Sequence, residues 1–257
     1  MLIITGTAEA VGTITLNQPA KRNALSRALV DEMIAALDDF QKGGVRVVVI
    51  RAAAEVKVWS AGHDIGELPQ GQDPLGYSDP LERLLRRVAS FPGPVVAMVH
   101  GSVWGAATDL ALSCDLITGD ETSSFAITPA NLGLAYNTAG LLHFLRRLPL
   151  NLVKEMFFTA APVKAEDAAK WGVLNHLVPA ADLERFTYDL ARLMLTKAPL
   201  VLATVKEQLR LLTEATSITP EVFERIQDLR QRIYESEDYR EGILAFHEKR
   251  KPVFRGK

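Results

Sequence analysis

Trp59-Ser60-Ala61-Gly62-His63-Asp64-Ile65, taken with Gly101-Ser102-Val103-Trp104-Gly105-Ala106-Ala107-Thr108-Asp109 further along, decides how this chain folds. Each stretch follows a short apolar run, turns at a glycine and leads into a segment of helical character. A turn that opens a helix leaves backbone N–H groups unpaired and pointing outward. Two such turns side by side form a pair of fixed donors for a carbonyl oxygen that gains charge, an oxyanion hole. The catalytic apparatus is therefore expected to be mostly main chain.

Around these turns strands and helices alternate. The N-terminal Met1 to Gly6 reads as a first strand and not as a signal peptide. Thr13 to Leu16 has a period of two and stops at Asn17-Gln18-Pro19. Ser26 is placed to cap a helix whose apolar stripe is Leu29, Val30, Met33, Ile34 and Leu37, and Gly43-Gly44 ends it. Val45 to Ile50 and Pro94 to Val99 read as strands buried on both faces. Leu81 to Ala89 and Trp104 to Leu112 read as helices, Leu116 to Thr118 as a strand, and Pro69 to Pro80 as a mobile loop. From about residue 196 the pattern becomes helical. Leu202, Val205, Leu209 and Leu212 form one stripe, Thr219-Pro220-Glu221 begins a helix running to Tyr234, and Asp238 to Glu248 forms a last one. The expected division is a catalytic α/β core over 1–195 and a helical region over 196–257 that covers a neighbouring subunit.

Composition bounds the function. The 257 residues allow one large domain or a core with an appendage, and 48% hydrophobic with 23% charged residues is ordinary for a soluble globular protein. A net charge of -2 without a basic block argues against nucleic acid as a partner. No apolar run approaches a membrane span. A single cysteine, Cys114, suits a reducing cytoplasm. The five histidines are scattered, with no metal-binding spacing, no Walker A loop, no dinucleotide fingerprint and no Gly-x-Ser-x-Gly elbow. Neither a metal nor a separate cofactor is expected. Cys114 and His143 read as core or surface residues without chemistry.

Four motifs in register, Asn23-Ala24-Leu25-Ser26, Ser60-Ala61-Gly62-His63-Asp64, Gly101-Ser102-Val103-Trp104-Gly105 and Phe246-His247-Glu248-Lys249-Arg250-Lys251-Pro252, resemble the crotonase (enoyl-CoA hydratase/isomerase) superfamily. The resemblance covers nearly the whole chain. It implies an α/β spiral of ββα turns with a C-terminal helical region that builds homotrimers, often paired into hexamers. It also implies an acyl-CoA substrate, with CoA belonging to the substrate. By motif position the donors to the thioester oxygen are the His63 and Ala106 N–H groups. The same resemblance sets Lys21, Arg22, Ala24, Ala61, Asp64, Ile65, Gly105, Thr128 and Lys249 against the substrate, with Lys249 reaching CoA phosphates across a subunit boundary. Taken as a solvated turn, Asp64 reads as a cap.

Hydrating members place glutamates at two positions that here hold Asp109 and Pro129. Asp109 is shorter by one carbon–carbon bond, roughly 1.5 Å, and reach decides first whether a base can act. Pro129 has no proton to exchange. Both are expected to sit beside the substrate contacts without doing hydration chemistry. The chain is most similar to the branch that decarboxylates methylmalonyl-type thioesters. That likeness runs through Ser60 to Ile65 with Glu67-Leu68-Pro69, Gly101 to Gly105, Thr128-Pro129 with Asn131-Leu132-Gly133 and Tyr136-Asn137, and Ser236-Glu237-Asp238-Tyr239. It implies that Tyr136 contacts the substrate carboxylate. Ala106 departs from the family's common glycine, but a backbone donor survives that change where φ is negative. The alternatives are an enoyl-CoA hydratase or isomerase using Asp109, and a non-catalytic CoA-binding protein.

Overall fold

The computed structural model describes residues 1–68, 76–214 and 219–256. The chain opens with the hairpin β1 (Ile3–Ala8) and β2 (Val11–Leu16), and then α1 (Arg27–Lys42) crosses to β3 (Val47–Ala52). Ser26 caps α1 by accepting from the Leu29 N–H, and Leu29, Val30, Met33 and Leu37 are buried along it, with Ile34 partly so. Three ββα turns follow. In each, the first strand joins a large sheet, the second joins a small one, and a helix packs behind. They are β3 with β4 (Val58–Ser60) and α2 (Pro80–Ala89), β5 (Val95–Val99) with β6 (Ser102–Trp104) and α3 (Ala106–Ser113), and β7 (Leu116–Gly119) with β8 (Ser124–Ala126) and α4 (Thr138–Arg147). Next come α5 (Leu150–Thr159), β9 (Val163–Lys164), α6 (Ala165–Lys170), β10 (His176–Leu177), α7 (Ala180–Leu195), α8 (Pro199–Glu214), α9 (Pro220–Glu235) and α10 (Glu237–His247).

The large sheet has the order β1-β2-β3-β5-β7-β10 and the small one β4-β6-β8-β9. Register sets the core. Ile14, Ile50, Ala97 and Ile117 pair in one row across β2, β3, β5 and β7, and all four are fully buried. The alternate residues Val47, Val49, Val96 and Met98 face the other way and are covered by Leu183 and Ala191 of α7. Helix cover on both faces explains why these strands read as continuous apolar runs.

Several boundaries differ from the sequence reading. The strand expected from Val45 begins at Val47, and the first strand runs from Ile3 to Ala8. Trp104 belongs to β6, so the helix expected from Trp104 starts at Ala106: Gly105, at φ +52°, breaks the strand and caps the helix. Of the loop expected over Pro69 to Pro80, residues 69–75 lie outside the described residues. Gly76 to Asp79 form a turn in which Asp79 accepts from the Leu81 N–H, and Pro80 opens α2. No helix among the described residues is long and apolar enough to cross a membrane.

The C-terminal helices meet the core through polar ties. Lys206 on α8 donates to Val88 O and Gly93 O and pairs with Asp115 at 2.7 Å. Val205, Leu209 and Leu212 of the expected stripe are exposed on the same helix. The Tyr234 hydroxyl on α9 donates to Ala135 O, and Phe246 on α10 reaches the wall of the central cleft.

Candidate active site

The first turn is braced by the loop before α1. Asn23, fully buried, donates to Trp59 O, while Ser60 Oγ donates to Asn23 O at 2.7 Å and accepts from the Gly62 N–H. The Leu25 N–H donates to Gly62 O and Leu25 O accepts from the Asp64 N–H. In this parallel bridge the intervening residue, His63, directs its own N–H to the opposite side. The His63 ring is fixed as well, with Nδ1 donating to Asp64 O at 3.0 Å.

The second turn ends β6. The Gly105 N–H donates to Ala126 O, and Thr108 Oγ1 donates to Val103 O and Ala126 O. Ala106 then opens α3 with helical, negative φ, so its methyl is no obstacle to an outward N–H. The two turns touch through Gly62. At φ +83°, with Trp104 O directly against it and the Ala106 nitrogen 3.2 Å from where a Cβ would stand, only glycine fits. Among the described residues no acceptor takes the His63 or Ala106 N–H.

These turns border a cleft of about 580 Å³ lined by Lys21, Arg22, Ala24, Ala61, His63, Asp64, Ile65, Trp104, Thr128, Asn131, Leu132 and Phe246, among others. Lys21 pairs with Asp64 at 3.1 Å on its exposed rim, and Asp64 also caps the following turn by accepting from the Gly66 N–H. Thr128 lies across from Gly105, its Oγ1 3.7 Å from where a Cβ on Gly105 would stand.

One helical turn along α3 from Ala106 lies a buried polar group. Asp109 is 2% exposed and accepts from the Tyr136 hydroxyl at 3.0 Å and from His143 Nδ1 at 2.7 Å. Asn137 caps α4 through the Gly140 N–H and donates to buried Glu82 of α2. Gly140 makes room for the group: a Cβ there would press on the Tyr136 ring and stand 2.9 Å from Asp109 Oδ2. The Tyr136 ring also packs edge-on against Phe144 and Phe157. Burial, then the charge and bond of Asp109, push the Tyr136 hydroxyl well above the ordinary tyrosine range, so it stays a donor. Burial also raises Glu82, against the bond from Asn137. His143 is pulled down by burial but raised more by Asp109 and Glu82, for a net rise.

Eight of the expected residues, Lys21, Arg22, Ala24, Ala61, His63, Asp64, Ile65 and Thr128, thus share one cleft. Gly105 and Ala106 form the second turn beside it, and Tyr136 and Asp109 form the group along α3. Pro129 is buried in the short turn Pro129–Leu132 that α10 packs against. Lys249 does not line the cleft; it lies exposed in the turn after α10, at φ +54°. Sequence reading missed Glu82, Asn137, Gly140 and His143. The signal for Asn137 and Gly140 was the capping spacing itself. His143, read from the sequence as a core or surface residue without chemistry, is bonded to buried Asp109. Cys114 is buried, with its thiol pushed up to about 12 by that burial. Among the described residues no cluster of three His, Cys, Asp or Glu could hold a metal.

Stacked ββα turns with two adjoining glycine turns beside one cleft accord with the family to which the chain belongs, enoyl-CoA hydratase/isomerase (crotonase), whose model matches residues 6–257. It is 46% identical to the methylmalonyl-CoA decarboxylase of Escherichia coli K12, over 97% of this chain and 96% of that one. It is 34% identical to the carnitinyl-CoA dehydratase of Shigella flexneri, over 95% and 94% of the two chains. A solved methylmalonyl-CoA decarboxylase in complex with 2-nitronate-propionyl-CoA superimposes with a TM-score of 0.98 at 45% identity, covering 100% of this chain and 99% of that one.

Proposed function

We propose that this protein decarboxylates methylmalonyl-CoA, or a close malonyl-type thioester, to propionyl-CoA or its counterpart. The observation that carries the reading is the pair of adjoining His63 and Ala106 amides, which meet no acceptor among the described residues, the first on the wall of the cleft and the second in the turn beside it. Loss of CO2 moves an electron pair from the breaking C–C bond into the thioester, as an enolate. Donors already aimed at that oxygen hold the transition state more tightly than the ground state, and one such donor is worth about 3–4 kcal/mol.

No general base is required, because the departing group is CO2. The carboxylate must stand out of the thioester plane so that its bond overlaps the carbonyl π system, and the Tyr136 hydroxyl orients it there, with Thr128 as a second contact. Water supplies the α-carbon proton. Lys21 and Arg22 attract the CoA phosphates, and Lys249 does so across a subunit boundary. CoA enters as part of the substrate and no other cofactor is needed. The exposed apolar residues of α8 support assembly as a homotrimer or a hexamer of paired trimers. The enzyme works in the cytoplasm.

Two observations weigh against hydration. Both oxygens of Asp109 already accept hydrogen bonds, and Pro129 stands where a second carboxylate would be needed. Incubation with methylmalonyl-CoA and, separately, with crotonyl-CoA tests the reading. CO2 release from the first is expected. Hydration of the second without CO2 from the first would mean a hydratase, and inertness toward both a CoA-binding protein.

A further inference from the structure

Decarboxylation as described leaves one buried group unused. The Asp109 carboxylate sits between the Tyr136 hydroxyl and His143 Nδ1, with Glu82 a second buried carboxylate behind Asn137. A substrate carboxylate brought to Tyr136 is a third. Carboxylates crowded out of water repel one another unless a cation intervenes. His143 touches Asp109 directly. Acting on it are Asp109 from α3, Glu82 from α2 and Arg146 from its own helix, while the Tyr136 hydroxyl holds the other oxygen of Asp109.

We propose that His143 is a positioning residue that neutralises Asp109 and so admits a substrate carboxylate to the Tyr136 hydroxyl. The inference rests on the decarboxylase reading. With an imidazolium on Oδ1, Asp109 presents no net charge to the site, and the Tyr136 hydroxyl exchanges its bond to Oδ2 for one to the substrate. With a neutral imidazole, Asp109 keeps its charge, holds the hydroxyl and opposes the incoming carboxylate. The net upward shift of His143 keeps the cationic form to a higher pH than an ordinary histidine allows. The consequence falls on thioesters that carry a free carboxylate and not on thioesters in general.

The test follows KM and kcat for methylmalonyl-CoA by CO2 release from about pH 6 to about pH 9, with inhibition by propionyl-CoA measured in parallel. Propionyl-CoA carries the same thioester and phosphates but no carboxylate. In the wild-type protein KM is expected to rise on the order of tenfold as His143 loses its proton, with kcat less affected and propionyl-CoA inhibition unchanged. His143→Gln should show the high KM at every pH, and adding Asp109→Asn should lower it again. A wild-type KM that stays flat, or one that rises in step with the propionyl-CoA inhibition constant, overturns the proposal. So does a folded His143→Gln with the wild-type KM. Should His143→Gln not fold, the wild-type profile against propionyl-CoA decides alone. Absence of CO2 from the wild-type protein defeats the decarboxylase reading itself, and this inference with it; CO2 release without His143 dependence defeats this inference only.

Discussion

Two successive turns of α3 build the two halves of the site from different material. At the helix start, the Ala106 amide and its neighbour at His63 are main chain, held by Gly62, Asn23 and Ser60. One turn on, Asp109, Tyr136 and His143 are side chains from separate segments, held by one another. The backbone half tolerates changes of side chain at the donor positions, since alanine supplies the same N–H as glycine. It tolerates nothing at the contact between turns. The side-chain half is the reverse: its backbone is ordinary helix and loop, and each group's identity matters. In the function proposed above, charge-stabilising donors on the main chain leave side chains free to select the substrate.

The sharpest way to break this contrast is Gly62→Ala. The methyl would strike Trp104 O at a backbone φ that favours glycine, so the turns must part. CO2 release is expected to fall by about a hundredfold or more, the scale of losing an oxyanion donor, together with a lower melting temperature. Near-normal turnover would mean that the turns need not touch. Tyr136→Phe comes next. It removes the orienting hydroxyl and leaves Asp109 with one partner, a loss of about 1–3 kcal/mol. CO2 release should drop roughly tenfold to a hundredfold while the circular-dichroism spectrum stays the same; unaltered turnover removes Tyr136 from the mechanism.

Glu82→Gln has the smallest effect and is read as stability. Burial raises the Glu82 carboxyl above its ordinary value, so the folded state binds a proton that the unfolded state has lost. Ionisation of Glu82 therefore costs stability above the unfolded pKa and costs nothing below it. Glutamine keeps an acceptor for Asn137 without the charge. The variant should melt higher than the wild-type protein at about pH 8, with the gain shrinking toward about pH 4. An equal change at both ends would show that Glu82 is not a source of buried charge.

The chain carried its strands and caps openly. Ser26, Thr219 and the apolar runs around Val49 and Val96 sit where local chemistry puts them, because caps and buried parallel strands leave strong short-range patterns. The glycine turns were legible for the same reason. The start of α3 was not, because Trp104 is apolar and continues the helical pattern, while pairing with Ala126 keeps it in β6. His143 was unreadable, because nothing local distinguishes a histidine facing a carboxylate from one facing solvent.

The amino-acid sequence by itself determined the α/β alternation, the two turns and the family, since glycine, capping and burial patterns act over a few residues. Only the tertiary structure decided that Gly62 bears on the second turn, and that Asp109 answers to both Tyr136 and His143. Those contacts join residues far apart in the chain: the first forms where β4 and β6 end side by side, and the second when α3 and α4 pack together.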